Sequence, residues 1–160
     1  MRAIPPQFPF LAVVVVVGVA ACAQALPEET LVRRVIDGDT IELADGRLVR
    51  YIGIDAPEVR RRQGDQWVVD PEPFGQEARD ANRRLVEGKS IGLEYDVQTH
   101  DRFGRLLAYV YVDGQMVNAK LLEGGYAQPL TIPPNVRYAD LFRRLAAEAR
   151  QQQQGLWAAD

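Results

Sequence analysis

The chain has 160 residues, enough for one domain with a core of its own, and its formal net charge is −3. An acidic balance counts against a strong non-specific nucleic-acid binder, although it leaves room for a local positive groove. The single cysteine, Cys22, and the single histidine, His100, exclude an internal disulfide and argue against most zinc sites.

The first 25 residues have the pattern of a secretory signal. Arg2 precedes an apolar run over residues 10–22 that is too short to cross a bilayer comfortably, and small residues follow it. Two triplets, Ala21-Cys22-Ala23 and Ala23-Gln24-Ala25, fit the small-x-small cleavage rule, whereas residues 19–22 resemble a lipobox, in which Cys22 becomes the lipidated first residue. We therefore expect a signal over 1–25 and a domain over 26–160. The protein would be exported: periplasmic, secreted, or anchored to the membrane as a lipoprotein through Cys22.

Turn residues and apolar alternation divide the first half of the domain. After a polar linker that ends at Thr30, residues 31–54 predict three strands joined by tight turns at Asp37-Gly38 and Asp45-Gly46. Residues 59–73 have no steady period and predict a long exposed loop. The three arginines at 60–62 are typical of either a solvated loop or a phosphate contact, and both interpretations stay open.

The second half predicts, in order, a helix over 74–87, strands over 90–97 and 105–112, a helix over 115–123, a proline-rich crossing over 129–134 and a last helix. The predicted buried face of the last helix comprises Tyr138, Leu141, Phe142, Leu145, Ala146 and Ala149. Trp157 is expected to fold back onto the body of the domain. Five short strands with a helix after the third and helices at the end predict a small α+β domain, compatible with a closed or partly open barrel.

Two aspartates, Asp39 and Asp55, lie near the ends of neighbouring predicted strands. Carboxylates that converge there would repel each other unless a cation lay between them, and hard oxygen ligands suit calcium or magnesium. The alternative is that each aspartate only caps its own turn.

Arg50 lies within strand patterning, where a buried guanidinium must pair with an acid or await an anionic ligand. Guanidinium groups match the geometry of phosphate, and Arg105 at the start of another strand could approach the same place. Glu58 follows Pro57, and a carboxylate beside a metal and two arginines could accept a proton from water or orient it. Surface salt bridges would give a similar pattern of charges.

Five segments follow one another in a familiar order: Ile36-Asp-Gly-Asp-Thr-Ile41, Arg50-Tyr-Ile-Gly-Ile-Asp-Ala-Pro-Glu58, Phe74-Gly-Gln-Glu-Ala78, Asp101-Arg-Phe-Gly-Arg-Leu-Leu-Ala-Tyr-Val110 and Gly114-Gln-Met-Val-Asn118. In order and approximate spacing they resemble the motifs of the staphylococcal nuclease family, from about Leu31 to Trp157. The resemblance implies a five-stranded OB-fold β-barrel with three helices. It also implies a calcium-dependent phosphodiesterase acting on DNA and RNA, with magnesium the less expected ion. Asp39 and Asp55 would be the calcium carboxylates, and Ala56 would supply a backbone carbonyl to the metal.

The resemblance also assigns the catalytic and substrate-binding positions. Arg50 and Arg105 would clamp the scissile phosphate, and Glu58 would activate or position the attacking water. Arg102 keeps a positive charge for a flanking phosphate, and Phe103 stands where the family's type enzyme has a tyrosine.

The leading hypothesis is thus an exported, monomeric, metal-dependent nuclease that acts on single-stranded DNA or RNA with little sequence preference. A competing hypothesis is a non-catalytic nucleic-acid- or protein-binding module of the same fold, and a third is a structural lipoprotein that rests on Cys22 and the acidic charge. The charged site positions favour the enzyme, because all of them carry the expected residue types.

Overall fold

The computed structural model describes residues 28–158 of the chain. The predicted signal over residues 1–25, with Cys22, lies outside the described residues, as do residues 26–27 and 159–160. Between residues 28 and 158, no helix combines the length and the apolar character that crossing a membrane requires.

Strands and helices follow one another closely along the described residues. In chain order they are β1 Glu28–Asp37, β2 Thr40–Leu43, β3 Leu48–Tyr51, β4 Ile54–Asp55, β5 Arg60–Gln63, β6 Gln66–Val69, α1 Gly75–Val86, β7 Ser90–Glu94, β8 Leu106–Val112, β9 Gln115–Met116, α2 Val117–Glu123, β10 Gln128–Pro129, α3 Ala139–Gln151 and a 3-10 turn at Gly155–Trp157. The α+β class and the three helices predicted from the sequence are confirmed.

Five of these strands close into a barrel. β1 pairs antiparallel with both β2 and β7, β2 pairs antiparallel with β3, and β7 pairs antiparallel with β8. A parallel pairing of β3 with β8, in which Arg50 lies opposite Leu107, completes the ring. β1 is 10 residues long and pairs with both neighbours, since residues 28–31 pair with β7 and residues 32–37 with β2. The five-stranded OB-fold barrel expected from the family resemblance is therefore confirmed.

One hydrophobic core fills the barrel and extends to the helices. Strand residues on the inward face, such as Ile41, Val49 and Ala108, are fully buried, as the period-2 alternation predicted. The predicted apolar face of α3 is confirmed: Phe142, Ala146 and Ala149 are buried, and Tyr138, Leu141 and Leu145 are partly buried against the core.

Several segments differ from the sequence prediction. Gln115–Met116, expected to open a helix, form β9 against β8, and β7 ends at Glu94 rather than at residue 97. The short β4–β10 pair was not predicted. Residues 28–30, expected in a polar linker, belong to β1, where Glu28–Leu31 pair with β7. The pairing uses backbone groups, so it does not require the apolar alternation that these residues lack.

The segment 59–73 was predicted to be a loop, but it contains a β-hairpin made of β5 and β6. Its register pairs Gln63 with Gln66 and leaves Gly64 and Asp65 as a two-residue turn. Gly64 has a φ of +61°, which glycine adopts readily at the first position of a hairpin turn. The apolar pattern of a strand is missing because the ribbon lies at the surface, with Arg60 and Gln66 exposed.

A tight turn at Gly53 carries the chain from β3 to β4. Gly53 has a φ of +80°, and a Cβ atom there would lie 2.5 Å from Cε2 of Phe142. Only glycine fits this position without displacing the ring of Phe142 in α3. The turn places β4, with Asp55 opposite Gln128 of β10, directly beyond the strand that carries Arg50.

Candidate active site

Asp39 is a buried acid in the turn between β1 and β2. Its side chain is 3% exposed. Its Oδ1 accepts a hydrogen bond from the Thr40 hydroxyl at 3.0 Å, and its Oδ2 accepts one from the backbone N–H of Ala56 at 2.7 Å. The second bond joins the β1–β2 turn to the residue that follows Asp55, so it ties together two chain segments that the sequence separates.

Arg50 connects the two predicted metal carboxylates. Its Nη2 donates to Asp55 Oδ1 at 2.6 Å, and its Nη1 is in direct ionic contact with Asp39 Oδ2. Burial lowers the pKa of the Arg50 guanidinium; Asp55 opposes that effect, while Arg105 adds to it. Nη1 is shielded from solvent, and the carboxylate of Asp39 is its partner.

The carboxylates around Arg50 have the chemistry of a hard-cation site. Asp39 and Asp55 both reach one guanidinium, so their oxygens lie close together, and the backbone of Ala56 adjoins them. Carboxylate and carbonyl oxygens are the ligands that calcium and magnesium prefer. Among residues 28–158 no group of three or more His, Cys, Asp or Glu side chains is arranged around a metal position. The fit therefore rests on this pair of acids, and the further ligands would come from the backbone, water or substrate.

Glu58 lies just after β4, at the edge of the same group of charges, and is exposed at the surface. Partial burial of its carboxyl group raises its pKa, repulsion by Asp37 adds to the rise, and attraction to Arg50 opposes it. Asp55 and Glu72 contribute further repulsion. A carboxylate with a raised pKa holds a proton more readily than an ordinary glutamate, as a general base requires.

Four of the predicted residues line one open cavity of about 430 Å³: Arg50, Arg102, Phe103 and Arg105. Aliphatic residues make up half of its remaining lining, with Leu107, Leu130 and Ile132 among them. Asp39, Asp55 and Glu58 lie outside this lining and adjoin it through Arg50. The cavity thus has a cationic side and an apolar side, which suits a ligand with phosphate and planar base groups.

The segment before β8 holds the second cationic group and the exposed ring. Arg105 Nε donates to Asp101 Oδ2 at 2.6 Å, and Asp101 Oδ1 accepts the backbone N–H groups of Phe103 and Arg105. Phe103 is 69% exposed, and the guanidinium carbons of Arg102 and Arg105 lie 4.7 and 5.5 Å from its ring centroid. The ring is therefore open to a ligand on a segment whose backbone is fixed.

The structure thus brings Asp39, Arg50 and Asp55 into contact and places Arg102, Phe103 and Arg105 on the cavity beside them. The roles assigned to these residues remain predictions.

Sequence reasoning missed three acids near the site. Asp37 was taken only as a turn residue, yet its Oδ1 accepts the backbone N–H of Val59 at 3.2 Å. Asp101 binds Arg105 across the turn that ends at Gly104, and an aspartate at the start of a turn was an available signal. Glu72 contacts Glu58, and no local pattern in the segment 59–73 pointed to it.

The chain is similar in sequence to proteins named thermonuclease and endonuclease. A family model described as staphylococcal nuclease homologue matches residues 48–159. The thermonuclease of Staphylococcus intermedius is 37% identical over 133 residues, covering 81% of this chain and 76% of that protein. The thermonuclease of Staphylococcus hyicus is 34% identical over 142 residues, covering 87% and 81%. Endonuclease YncB of Bacillus subtilis is 38% identical over 130 residues, covering 78% of this chain and 59% of that protein.

Proposed function

The chain belongs to the staphylococcal nuclease family, and from that premise we propose that it is an exported, calcium-dependent nuclease that cleaves single-stranded DNA or RNA with little sequence preference. It is a hydrolase of phosphodiester bonds, in keeping with relatives named thermonuclease and endonuclease. The ion, the strandedness of the substrate, export and a monomeric state are parts of the proposal. Support for export comes from the signal pattern of residues 1–25, and lipidation at Cys22 is one form of it.

The observation that carries the proposal is the position of Arg50. It contacts Asp39 and Asp55 on one side and lines the cavity shared with Arg105 on the other. One buried guanidinium thus joins an acidic pair suited to a cation to a cavity suited to a phosphate. A non-catalytic binding module would not need one arginine that contacts both the acidic pair and the cavity.

Asp39, Asp55 and the carbonyl of Ala56 would hold the cation, which when bound supplies positive charge to a phosphoryl oxygen. Arg50 and Arg105 bind the phosphate and stabilise the negative charge that develops on its oxygens. Glu58 takes a proton from water as the water oxygen bonds to phosphorus. One phosphorus–oxygen ester bond then breaks, leaving a phosphomonoester and a sugar hydroxyl that takes up a proton.

The aliphatic side of the cavity supports low sequence preference. Gln98 and Asn135 are polar residues of its lining, but both are engaged by the backbone. The Gln98 side chain donates to the carbonyl of His100 at 2.7 Å, and Asn135 binds the N–H and C=O of Gln98. Contacts with a base would therefore be made chiefly through its face, and every base offers such a face.

Purified protein incubated with single-stranded DNA in calcium, in magnesium and in chelator tests the proposal. We expect cleavage in calcium that chelator stops. Cleavage that persists in chelator would contradict the metal site. A folded protein that binds DNA but cleaves it in neither ion would instead be a binding module.

A further inference from the structure

The backbone N–H and C=O of Glu58 are both hydrogen-bonded, and Glu72 is the partner of each. The backbone N–H of Glu72 donates to the carbonyl of Glu58 at 2.8 Å. In return, Oε2 of Glu72 accepts the backbone N–H of Glu58 at 3.1 Å. The two backbone groups of Glu58 therefore bind a residue that lies 14 positions further along the chain.

The start of α1 closes against the same peptide. Gly75 donates its N–H to the carbonyl of Glu72 at 2.9 Å. A Cβ atom on Gly75 would lie 2.6 Å from the carbonyl oxygen of Glu58 and 3.3 Å from that of Pro57. The obstacles are backbone atoms, so a side chain at Gly75 would have to displace the Glu58 segment. Glu72 and Gly75 thus define where this segment lies.

The β5–β6 hairpin explains why the Glu58 backbone needs hydrogen bonds with Glu72. β5 and β6 are inserted between Glu58 and Glu72, and the base of the ribbon is joined by a bond from Asp70 N–H to the carbonyl of Val59 at 3.2 Å. Only Val59, which is buried and whose N–H binds Asp37, separates Glu58 from an exposed ribbon that does not belong to the barrel. Glu72 adds an attachment on the other side of the ribbon, so displacement of the ribbon is restrained before it reaches the Glu58 backbone.

We propose that Glu72 is a positioning residue for Glu58: it binds the amide and the carbonyl of Glu58 at once and so fixes where the Glu58 carboxylate stands beside Arg50. This role rests on the proposed function, in which Glu58 activates or orients the attacking water. Glu72 itself does not touch the substrate. Its effect on the reaction comes from placement, and a misplacement on the order of 1 Å can lower a rate by about 100-fold.

The test compares variants that keep or remove the acceptor. Glu72→Ala removes the carboxylate, whereas Glu72→Gln keeps an oxygen that can accept the Glu58 N–H. With single-stranded DNA in saturating calcium, we expect Glu72→Ala to lower kcat by roughly 10-fold or more and to change KM by less than about 2-fold. Glu72→Gln should restore kcat to within about 3-fold of the unmodified protein. Glu148→Ala, which truncates an exposed glutamate of α3, is the matched control and should leave both constants unchanged.

Gly75→Ala provides an independent approach, because it displaces the Glu58 segment without changing any charge. It should give the same selective loss of kcat. Glu72→Met, of similar length but without a strong acceptor, replaces the alanine variant if that variant does not fold. An unchanged kcat in Glu72→Ala, or a loss in Glu72→Gln as large as that in Glu72→Ala, would overturn the positioning role.

Amide hydrogen exchange at Glu58 separates this inference from the proposed function, because it needs no substrate. We expect the Glu58 amide to exchange roughly 10-fold faster or more in Glu72→Ala than in the unmodified protein or in Glu72→Gln. Equal exchange in all three would refute the backbone hold even if the protein proves to be an active nuclease. Failure of the unmodified protein to cleave DNA would refute the proposed function, and the catalytic part of this inference with it.

Discussion

Asn118, at the start of α2, offers a quantitative test of how the barrel supports the site. The residue is completely buried. Its Oδ1 accepts the backbone N–H of Val110 at 2.9 Å, and its Nδ2 donates to the carbonyl of Ile52 at 2.9 Å. One side chain thus joins β8 to the residue that precedes the Gly53 turn and β4. We predict that Asn118→Ala destabilises the protein strongly.

The magnitude follows from the two backbone groups that lose their partner. Each buried group left without a hydrogen bond costs about 1–3 kcal/mol, so Asn118→Ala should lower the free energy of unfolding by roughly 2–6 kcal/mol. A typical domain has about 5–15 kcal/mol in total, so the variant would be near the limit of folding.

Equilibrium unfolding in urea is the assay. With a slope of about 2 kcal/mol per molar, the midpoint should fall by roughly 1–3 M while the slope stays the same. Gln151→Ala, an exposed truncation at the end of α3, is the control and should change the unfolding free energy by less than about 0.5 kcal/mol. A loss below about 1 kcal/mol in Asn118→Ala would refute the reasoning, because it would mean that water replaces the side chain without penalty.

Three further predictions concern catalysis, binding and acid stability. Glu58→Gln should lower kcat by about 100-fold or more while calcium affinity, measured by calorimetry, stays the same; retention of most activity would contradict the role of Glu58. Phe103→Ala removes an exposed ring on which a base can stack, so single-stranded DNA followed by fluorescence anisotropy should bind more weakly by about 1–3 kcal/mol; unchanged affinity would exclude stacking there. Burial opposes ionisation of Glu94, but hydrogen bonds from Tyr111, Arg137 and Tyr138 outweigh it and hold its pKa below the ordinary 4.5. The stabilisation is then complete above that ordinary value and is lost as the pH falls. Arg137→Ala should therefore move the acid-unfolding midpoint, followed by circular dichroism, to higher pH. An unmoved midpoint would mean that the hydrogen bond from Arg137 to Glu94 contributes nothing to acid stability.

Residues inside regular elements were predictable because their side chains record their environment. Ile41 and Val49 follow the strand alternation, and Phe142 follows the helical period of α3; all three are buried as the patterns indicate. The β5–β6 ribbon was missed for the converse reason. Its strands pair through backbone groups at the surface, where Arg60 meets no apolar constraint that would leave a pattern in the sequence.

The candidate site also contains residues that barrel strands position and one residue that they do not. Arg50 and Arg105 stand on or beside the two strands whose parallel pairing closes the barrel, so a sequence that specifies the barrel also brings their segments together. Glu58 lies on a segment outside the barrel, and its place is set by bonds to the backbone from Glu72 and by the absence of a side chain at Gly75. Every residue except proline offers a backbone N–H, so a carboxylate that accepts one leaves no pattern in the neighbouring sequence, and a close backbone contact leaves only a glycine. The charged groups can therefore be identified from the sequence, while the bonds that fix the Glu58 backbone near Arg50 are seen only in the folded structure.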